Sequence, residues 1–224
     1  MSDLRGENVG AVIPLSDASR RPRSWPGATV LIIVVNAFVF FQELLGGNAF
    51  VARWAAVPAV ISSGHSWVTI FTAMFLHGGW MHIIGNMVFL WAFGPEMEDV
   101  MGHVRYVVFY LLGGVIAMLA QVAAAPLSTV PCIGASGAIA AVMGAFIVTY
   151  PRDRIKSLLI ILIFIRITFI PAALLIGIWF LIQLFNAGAV ANVQSGGVAY
   201  LAHVGGFVFG VATSRLWRRK PAWG

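Results

Sequence analysis

The chain alternates between long apolar runs and short polar connections, and this pattern predicts its elements. Six runs are long enough, or nearly so, to cross a hydrocarbon core as helices. They occupy residues 28–45, 77–94, 104–124, 136–150, 171–187 and 200–217. A lipid-facing backbone must satisfy its own hydrogen bonds, so runs of this kind form helices. The pattern therefore predicts an all-α membrane protein, a six-transmembrane-helix bundle that covers residues 26–218.

Three stretches fall outside these runs. Residues 1–25 are polar and basic and contain Pro14 and Pro22, with Pro26 directly after them, so they are expected to form a short disordered tail. Residues 219–224 are a second short basic tail. The stretch 157–170 (SLLIILIFIRITFI) is apolar and β-branched, but it is too short to span alone. We interpret it as an interfacial segment that leads into the fifth helix, with a single long, kinked helix as the alternative.

Composition agrees with a membrane protein. Apolar residues make up 60% of the chain, charged residues 10%, and the mean hydropathy is +0.91. Soluble domains have about 45–50% apolar and about 25% charged residues. The single cysteine, Cys132, excludes an intrachain disulfide. A nucleic-acid partner is not needed to explain the basic pI of about 10.3, because cytoplasmic loops of membrane proteins collect Lys and Arg.

The basic residues also predict an orientation. With the N-terminus on the cytoplasmic side of a six-helix bundle, thirteen of the fourteen Lys and Arg residues fall on that side, and only Arg53 lies outside. Both termini are therefore expected to be cytoplasmic. The expected location is the cell (inner) membrane, as a multi-pass protein.

Four polar side chains lie in the outer half of three different apolar runs. Ser136 and His203 are each fourteen residues above the inner end of their runs, or about 21 Å at the rise of an α-helix. His82 lies at a similar depth, and Asn86 follows it by one turn on the same face. Each has an ordinary explanation: serine between glycines packs helices, asparagine joins helices, and histidine serves a proton path. A transporter or channel could use the same groups.

As a set, these residues match what acyl transfer requires. Ser136 would be the nucleophile and His203 the base that takes and returns its proton. His82 and Asn86 would donate hydrogen bonds to the developing oxyanion. The chain has no H-E-x-x-H zinc motif, and no metal or other cofactor is expected. The predicted active site opens to the extracytoplasmic side.

Four segments carry a resemblance to a known family. They are HGGWMHIIGNM (77–87), GPEMEDVMG (94–102), GASG (134–137) and AHVGGFVFG (202–210). In order and spacing they resemble the rhomboid intramembrane serine proteases. The resemblance implies a Ser-His dyad at Ser136 and His203, oxyanion contributions from His82 and Asn86, and a structural role for the Gly94-xxx-Glu98 pattern.

The resemblance also has a departure that concerns the catalytic histidine. Some members carry an aromatic residue four positions after the nucleophile, stacked on the imidazole, whereas this chain has Ala140. What positions the His203 ring is therefore an open question. A non-catalytic relative that only binds membrane helices would be expected to lose Ser or His, and both are present.

The expected reaction is hydrolysis of a peptide bond in or near the outer part of a substrate's transmembrane segment. The expected partners are transmembrane protein substrates and the lipid bilayer. The uncharged loop 188–199 is expected to act as a lid over the site. No pattern in the sequence specifies a particular substrate or an oligomeric state.

Overall fold

Six helices of 14 residues or more coincide with the six apolar runs. The structure is a computed structural model, and it describes residues 11–161, 163–189 and 199–219. The long helices are α1 (Gly27–Trp54), α4 (Trp80–Met101), α5 (His103–Ala124), α6 (Ser136–Thr149), α7 (Ala172–Ala189) and α8 (Tyr200–Trp217). Two short helices, α2 (Pro58–Ser62) and α3 (Thr69–Thr72), and a 3-10 turn (Ala73–Phe75) connect α1 to α4. The protein is mostly helical.

By length and composition, two of these helices can each cross a membrane unaided. They are α1 and α5, and a third crossing results if the pair Thr69–Phe75 and Trp80–Met101, bent by 91°, is counted as one. Helices α6 and α7 are apolar but shorter. The six-helix crossing of the bilayer therefore stays a prediction.

The first helix runs further than its apolar run suggested. The predicted end at residue 45 precedes Gly46-Gly47, and the helix continues to Trp54 after a kink. Gly47 takes φ 58° and ψ −153° at the kink, a conformation that favours glycine because it has no β-carbon. The predicted boundary marks the kink, not the end of the element.

The expectation of an all-α fold is wrong, because the chain also contains a three-stranded sheet. Its strands are β1 (Ala11–Asp17), β2 (Arg154–Ile161) and β3 (Phe164–Pro171), and they pair antiparallel in that order. Stretch 157–170 is thus most of a β-hairpin that leads into α7, and the alternative of a single long, kinked helix is wrong. Its interfacial position stays a prediction. The tail expected at 1–25 is ordered where the structure describes it, since β1 pairs with β2 from Ala11↔Ile160 to Asp17↔Ile155.

Local sequence explains why these residues form strands. Residues 158–170 include six Ile and two Phe, which favour extended backbone. The apolar residues Val12, Ile13 and Leu15 give the tail the side chains that a third strand needs. Beyond the Asp17 end of β1, Arg20 bonds Asp153 and its guanidinium lies 3.7 Å from the centroid of the Tyr150 ring.

Helix α6 forms the centre of the helical core. Every residue from 137 to 146 is buried, and α4, α5, α7 and α8 surround this helix. The closest approach is to α8: a β-carbon at Gly206 would overlap the carbonyl oxygen of Gly137, and one at Gly210 would overlap that of Ala141. The two backbones therefore touch, which brings the first turns of α6 and α8 together.

The expected structural role of the Gly94-xxx-Glu98 pattern is confirmed. The Glu98 carboxylate accepts hydrogen bonds from the backbone N–H groups of Ala28 and Thr29, at 2.8 and 2.7 Å, and from the Thr29 hydroxyl. It thus satisfies the first N–H groups of α1, for which no side chain of α1 itself serves as a cap. A β-carbon at Gly94 would lie 2.6 Å from the Tyr106 hydroxyl oxygen, so a larger residue would not fit there.

Candidate active site

Ser136 is the first residue of α6, as the sequence predicted for a short helix that begins in the outer half. The chain enters this helix through Gly134, which takes φ +122° and donates its N–H to Ala73 O at 2.8 Å. Ser136 is partly exposed, while the next ten residues are buried. The hydroxyl therefore lies where a substrate can reach it, beside the free N–H groups of a helix N-terminus.

His203 lies in the first turn of α8 and contacts this hydroxyl directly. Its Nε2 is 2.7 Å from Ser136 Oγ, although the two residues are 67 positions apart. The imidazole is 8% exposed. A serine hydroxyl that donates to a histidine nitrogen is the arrangement needed for proton transfer during nucleophilic attack.

The other ring nitrogen of His203 contacts a residue that the sequence analysis missed. Nδ1 lies 2.7 Å from Oε1 of Gln183, a buried side chain on α7. The Trp179 ring, one turn earlier on α7, has its centroid 5.8 Å from that of the imidazole. A single glutamine in an apolar helix has no motif to mark it, so only the helix packing reveals this contact.

His82 lies beside the segment that leads into Ser136, on the side away from His203. The backbone N–H of Gly78 donates to His82 Nδ1 at 3.2 Å, which assigns the ring proton to Nε2. A β-carbon at Gly134 would lie 2.9 Å from this Nε2. The N–H of His82 thus faces the backbone just before Ser136, close to where an oxyanion would form.

Asn86 lies one turn along α4 from His82 and is buried. Its Nδ2 has no hydrogen-bond partner among the residues that the structure describes. A buried donor without a partner costs about 1–3 kcal/mol, so this amide is suited to a group that arrives with the substrate. Both α4 residues thus carry the side-chain N–H groups for which the sequence predicts a role as oxyanion donors.

Two further expectations concern this region. Residues 190–198, most of the loop expected to act as a lid, lie outside the described residues. Within the described ranges, no three His, Cys, Asp or Glu side chains are grouped so that they could hold a metal ion. The described groups supply a hydroxyl, an imidazole base and N–H donors, which is the chemistry of acyl transfer.

The chain matches the family model of the Rhomboid domain over residues 64–220. This range contains α3 to α8 and both strands of the hairpin, and it includes Ser136, His203, Gln183, His82 and Asn86. Strand β1 and helices α1 and α2 precede it.

Curated proteins are similar over parts of their length. Rhomboid protease GluP of Bacillus subtilis (strain 168) is 28% identical over 196 residues, 83% of this chain and 34% of that protein. Rhomboid-like protein 11, chloroplastic, of Arabidopsis thaliana is 28% identical over 121 residues, 54% of this chain and 41% of that protein. Rhomboid-like protease 5 of Toxoplasma gondii is 33% identical over 153 residues, 63% of this chain and 16% of that protein. The chain thus spans less than half the length of these relatives.

Proposed function

Because the chain belongs to the rhomboid family, we propose that it is an intramembrane serine endopeptidase with Ser136 as its nucleophile. The observation that carries the proposal is the 2.7 Å contact between Ser136 Oγ and His203 Nε2. Two side chains so distant in sequence meet at the adjoining ends of two helices whose backbones touch. A serine that only packed helices would not require a buried imidazole on its hydroxyl.

The reaction follows from the positions of these groups. His203 Nε2 takes the hydroxyl proton as Ser136 Oγ attacks the carbonyl carbon of the scissile peptide bond. The imidazolium then gives that proton to the leaving amine, which releases the C-terminal product and leaves an acyl ester on Ser136. A water molecule then attacks the ester carbonyl as His203 takes its proton. The imidazolium returns that proton to Ser136 Oγ as the bond between the acyl carbon and Oγ breaks, and the second product leaves as a carboxylic acid.

Stabilisation of the two tetrahedral intermediates is assigned to donors around the start of α6. His82 Nε2 and Asn86 Nδ2 come from α4, and the unpaired backbone N–H groups of the first turn of α6 add the positive end of the helix dipole. These donors gain strength in a site that excludes bulk water. Their contribution falls on the transition state more than on substrate binding.

The proposed substrates are transmembrane proteins, cut near the outer end of the spanning segment. The six long helices are assigned as spans, with the basic residues before α1, at the start of α5, after α6 and around the end of α8 on the cytoplasmic side of the cell membrane. Helix α6 has 14 residues and covers about 21 Å of a core about 30 Å thick, so Ser136 lies about 9 Å below the outer surface. A regular helix hides its carbonyls, so the substrate presents a locally unwound segment there.

The test combines covalent labelling with cleavage of a model transmembrane substrate. A fluorophosphonate should label the wild type and not Ser136→Ala. Ser136→Ala and His203→Ala should each abolish cleavage, and the double variant should be hardly worse than either single one, since the two residues act as a unit. Substantial cleavage by either single variant, at wild-type expression, would contradict the assignment.

A further inference from the structure

We propose that Gln183 is a positioning residue for His203, holding the imidazole in the tautomer and orientation that proton transfer from Ser136 requires. The inference deepens the proposed function and rests on it. It explains what holds the His203 ring in this chain, where the residue four positions after Ser136 is Ala140 and not an aromatic residue. The contact comes from α7 instead of α6.

The amide of Gln183 can be oriented from its second contact. Its Nε2 lies 3.4 Å from the backbone carbonyl oxygen of Trp179, one turn earlier on the same helix. An amide nitrogen donates and a carbonyl oxygen accepts, so the reversed orientation would place two acceptors together. The Oε1 atom therefore faces His203 Nδ1, at 2.7 Å, as an acceptor.

This orientation selects one tautomer of the imidazole. An acceptor at Nδ1 requires the ring proton on that nitrogen, which leaves the Nε2 lone pair free. That lone pair points at the Ser136 hydroxyl, which can then donate its proton. In the other tautomer, Nε2 would carry a proton and could not act as the base.

The relay Ser136–His203–Gln183 thus joins α6, α8 and α7 through two short hydrogen bonds. The Trp179 ring lies beside the imidazole and limits its rotation, and Tyr200 approaches it edge-on at a centroid distance of 6.4 Å. A neutral amide performs this orienting task without placing a full charge inside the membrane, which would cost several kcal/mol. It gives up the charge stabilisation that a carboxylate would offer the imidazolium.

The matched control is Gln121 on α5. Its Oε1 accepts from the backbone N–H of Ala202 at 3.3 Å, so it is a second glutamine that contacts α8, next to His203 but not on its ring. Comparing Gln183→Leu with Gln121→Leu separates loss of the ring contact from loss of any intramembrane amide near α8. Gln183→Glu restores an acceptor of the same length.

The experiment measures kcat and KM against pH for the full chain in proteoliposomes, with a model transmembrane substrate. Gln183→Leu should lower kcat about 10- to 100-fold with little change in KM, because the base is misplaced while the substrate contacts remain. Gln183→Glu should recover most of kcat and move the low-pH limb of kcat/KM to higher pH, because its negative charge favours the protonated imidazole. Gln121→Leu should keep the kcat and the pH profile of the wild type.

The tautomer provides a readout that a purely structural role would not change. With ring-¹⁵N-labelled histidine, the His203 signals, assigned by their loss in His203→Ala, should show a protonated Nδ1 in the wild type. In Gln183→Leu they should shift towards a mixture of tautomers. Unchanged signals, or a kcat for Gln183→Leu equal to that of Gln121→Leu, would overturn the positioning role. So would failure of Gln183→Glu to recover kcat.

Failure of the proposed function itself would look different. If the wild type did not cleave, or if Ser136→Ala cleaved as well as the wild type, the protease assignment would fall whatever Gln183 contributed. If Ser136→Ala abolished cleavage while Gln183→Leu did not reduce it, only the positioning role would be lost.

Discussion

At the scale of single residues, the two donors on α4 are held differently. The ring of His82 is fixed through its Nδ1 by the Gly78 N–H. Asn86 Nδ2, in contrast, is buried without a partner among the described residues. In the proposed role, the Asn86 amide gains most when it donates to a substrate oxygen, and the gain is largest when that oxygen carries negative charge.

This difference leads to a kinetic prediction for Asn86→Ala. Loss of one donor from a preorganised oxyanion hole costs about 10²–10³ in kcat. His82 and the backbone N–H groups of α6 share the task here, so we expect a smaller loss, about tenfold, with KM nearly unchanged. Steady-state kinetics on the same model substrate measure both parameters.

A buried asparagine remote from the site serves as the control. Asn36 on α1 is fully buried and donates from Nδ2 to Ile32 O at 2.8 Å within its own helix. Asn36→Ala should lower the amount of folded protein and leave the kcat of the folded fraction unchanged. If Asn86→Ala raised KM alone, Asn86 would be a substrate-positioning residue and not an oxyanion donor.

Residue chemistry explains which parts of the site could be read from the sequence. Ser136, His203 and His82 stand in motifs with fixed spacing, and charged or polar groups are rare enough in apolar runs to be noticed. Gln183 also stands in an apolar run, but whether it contacts His203 depends on how α7 is rotated about its axis against α8. That rotation is set by side-chain packing, which periodicity does not specify.

At the scale of elements, the sheet was missed because apolar and polar residues alternate only over residues 165–169, at the end of a longer apolar run. Ile163 and Phe164 at the hairpin tip are 88% and 72% exposed, and β3 exposes apolar side chains on both faces. A strand with one buried face would have shown a period of two. The pairing partner β1 lies about 140 positions away in a stretch that composition marks as polar.

The sheet packs along the side of α4 and does not lie below the ends of the helices. Pro14 and Leu15 line an apolar groove together with side chains of α1 and α4. Among these side chains, Ala37 lies closest to the start of α1 and Trp91 lies closest to the end of α4. Each of these is ten residues, or about 15 Å, from its helix end.

The last residue of β1, Asp17, carries a carboxyl group whose ionisation is expected to make the attachment of the strand depend on pH. Burial, with the nearby carboxylate of Asp153, raises the pKa of Asp17 from 3.8 to about 6. Arg20 and Asp153 also face this group, and Glu96 on α4 interacts with it electrostatically. Because the folded state binds this proton more tightly than the unfolded state, its stabilising effect is complete below about pH 4 and is lost as pH rises through about 6.

Asp17→Asn should therefore strengthen the docking of β1 at neutral pH. Hydrogen–deuterium exchange of the peptide covering 11–17, compared with the wild type at the same pH, should be slower at pH 7.5, with the difference vanishing at pH 4. Asp99→Asn is the control, since its carboxylate accepts from the backbone of Arg23 and Ser24 and does not contact β1. Faster exchange in Asp17→Asn at pH 7.5 would show that the ionised carboxylate stabilises the strand.

At the scale of the whole molecule, the function depends on how far water reaches into the helical bundle past Ser136. Ser136 is partly exposed at the start of α6, and the helix below it is sealed by the touching backbones of α8. A protease needs water at the serine and none further down. A channel or transporter needs a path that continues past it. The same polar residues suit either function, so the depth to which water reaches distinguishes a protease from a channel or transporter.

Cysteine labelling from the outer side tests that extent. A small polar thiol reagent should reach a cysteine at 136 or 203, but not one at Val142, which is fully buried about 9 Å further along α6. Ser136→Cys should also be measured with His203→Ala, because the imidazole would activate the thiol. From its position in the sequence alone, the native Cys132 would be expected to react as well. Its side chain is buried, however, and its backbone pairs with that of Ala56 in an isolated β-bridge. Burial raises the pKa of its thiol to about 11, so background labelling of Cys132 should be low. Equal labelling at 136 and 142 would indicate a continuous aqueous path and favour a channel over the protease.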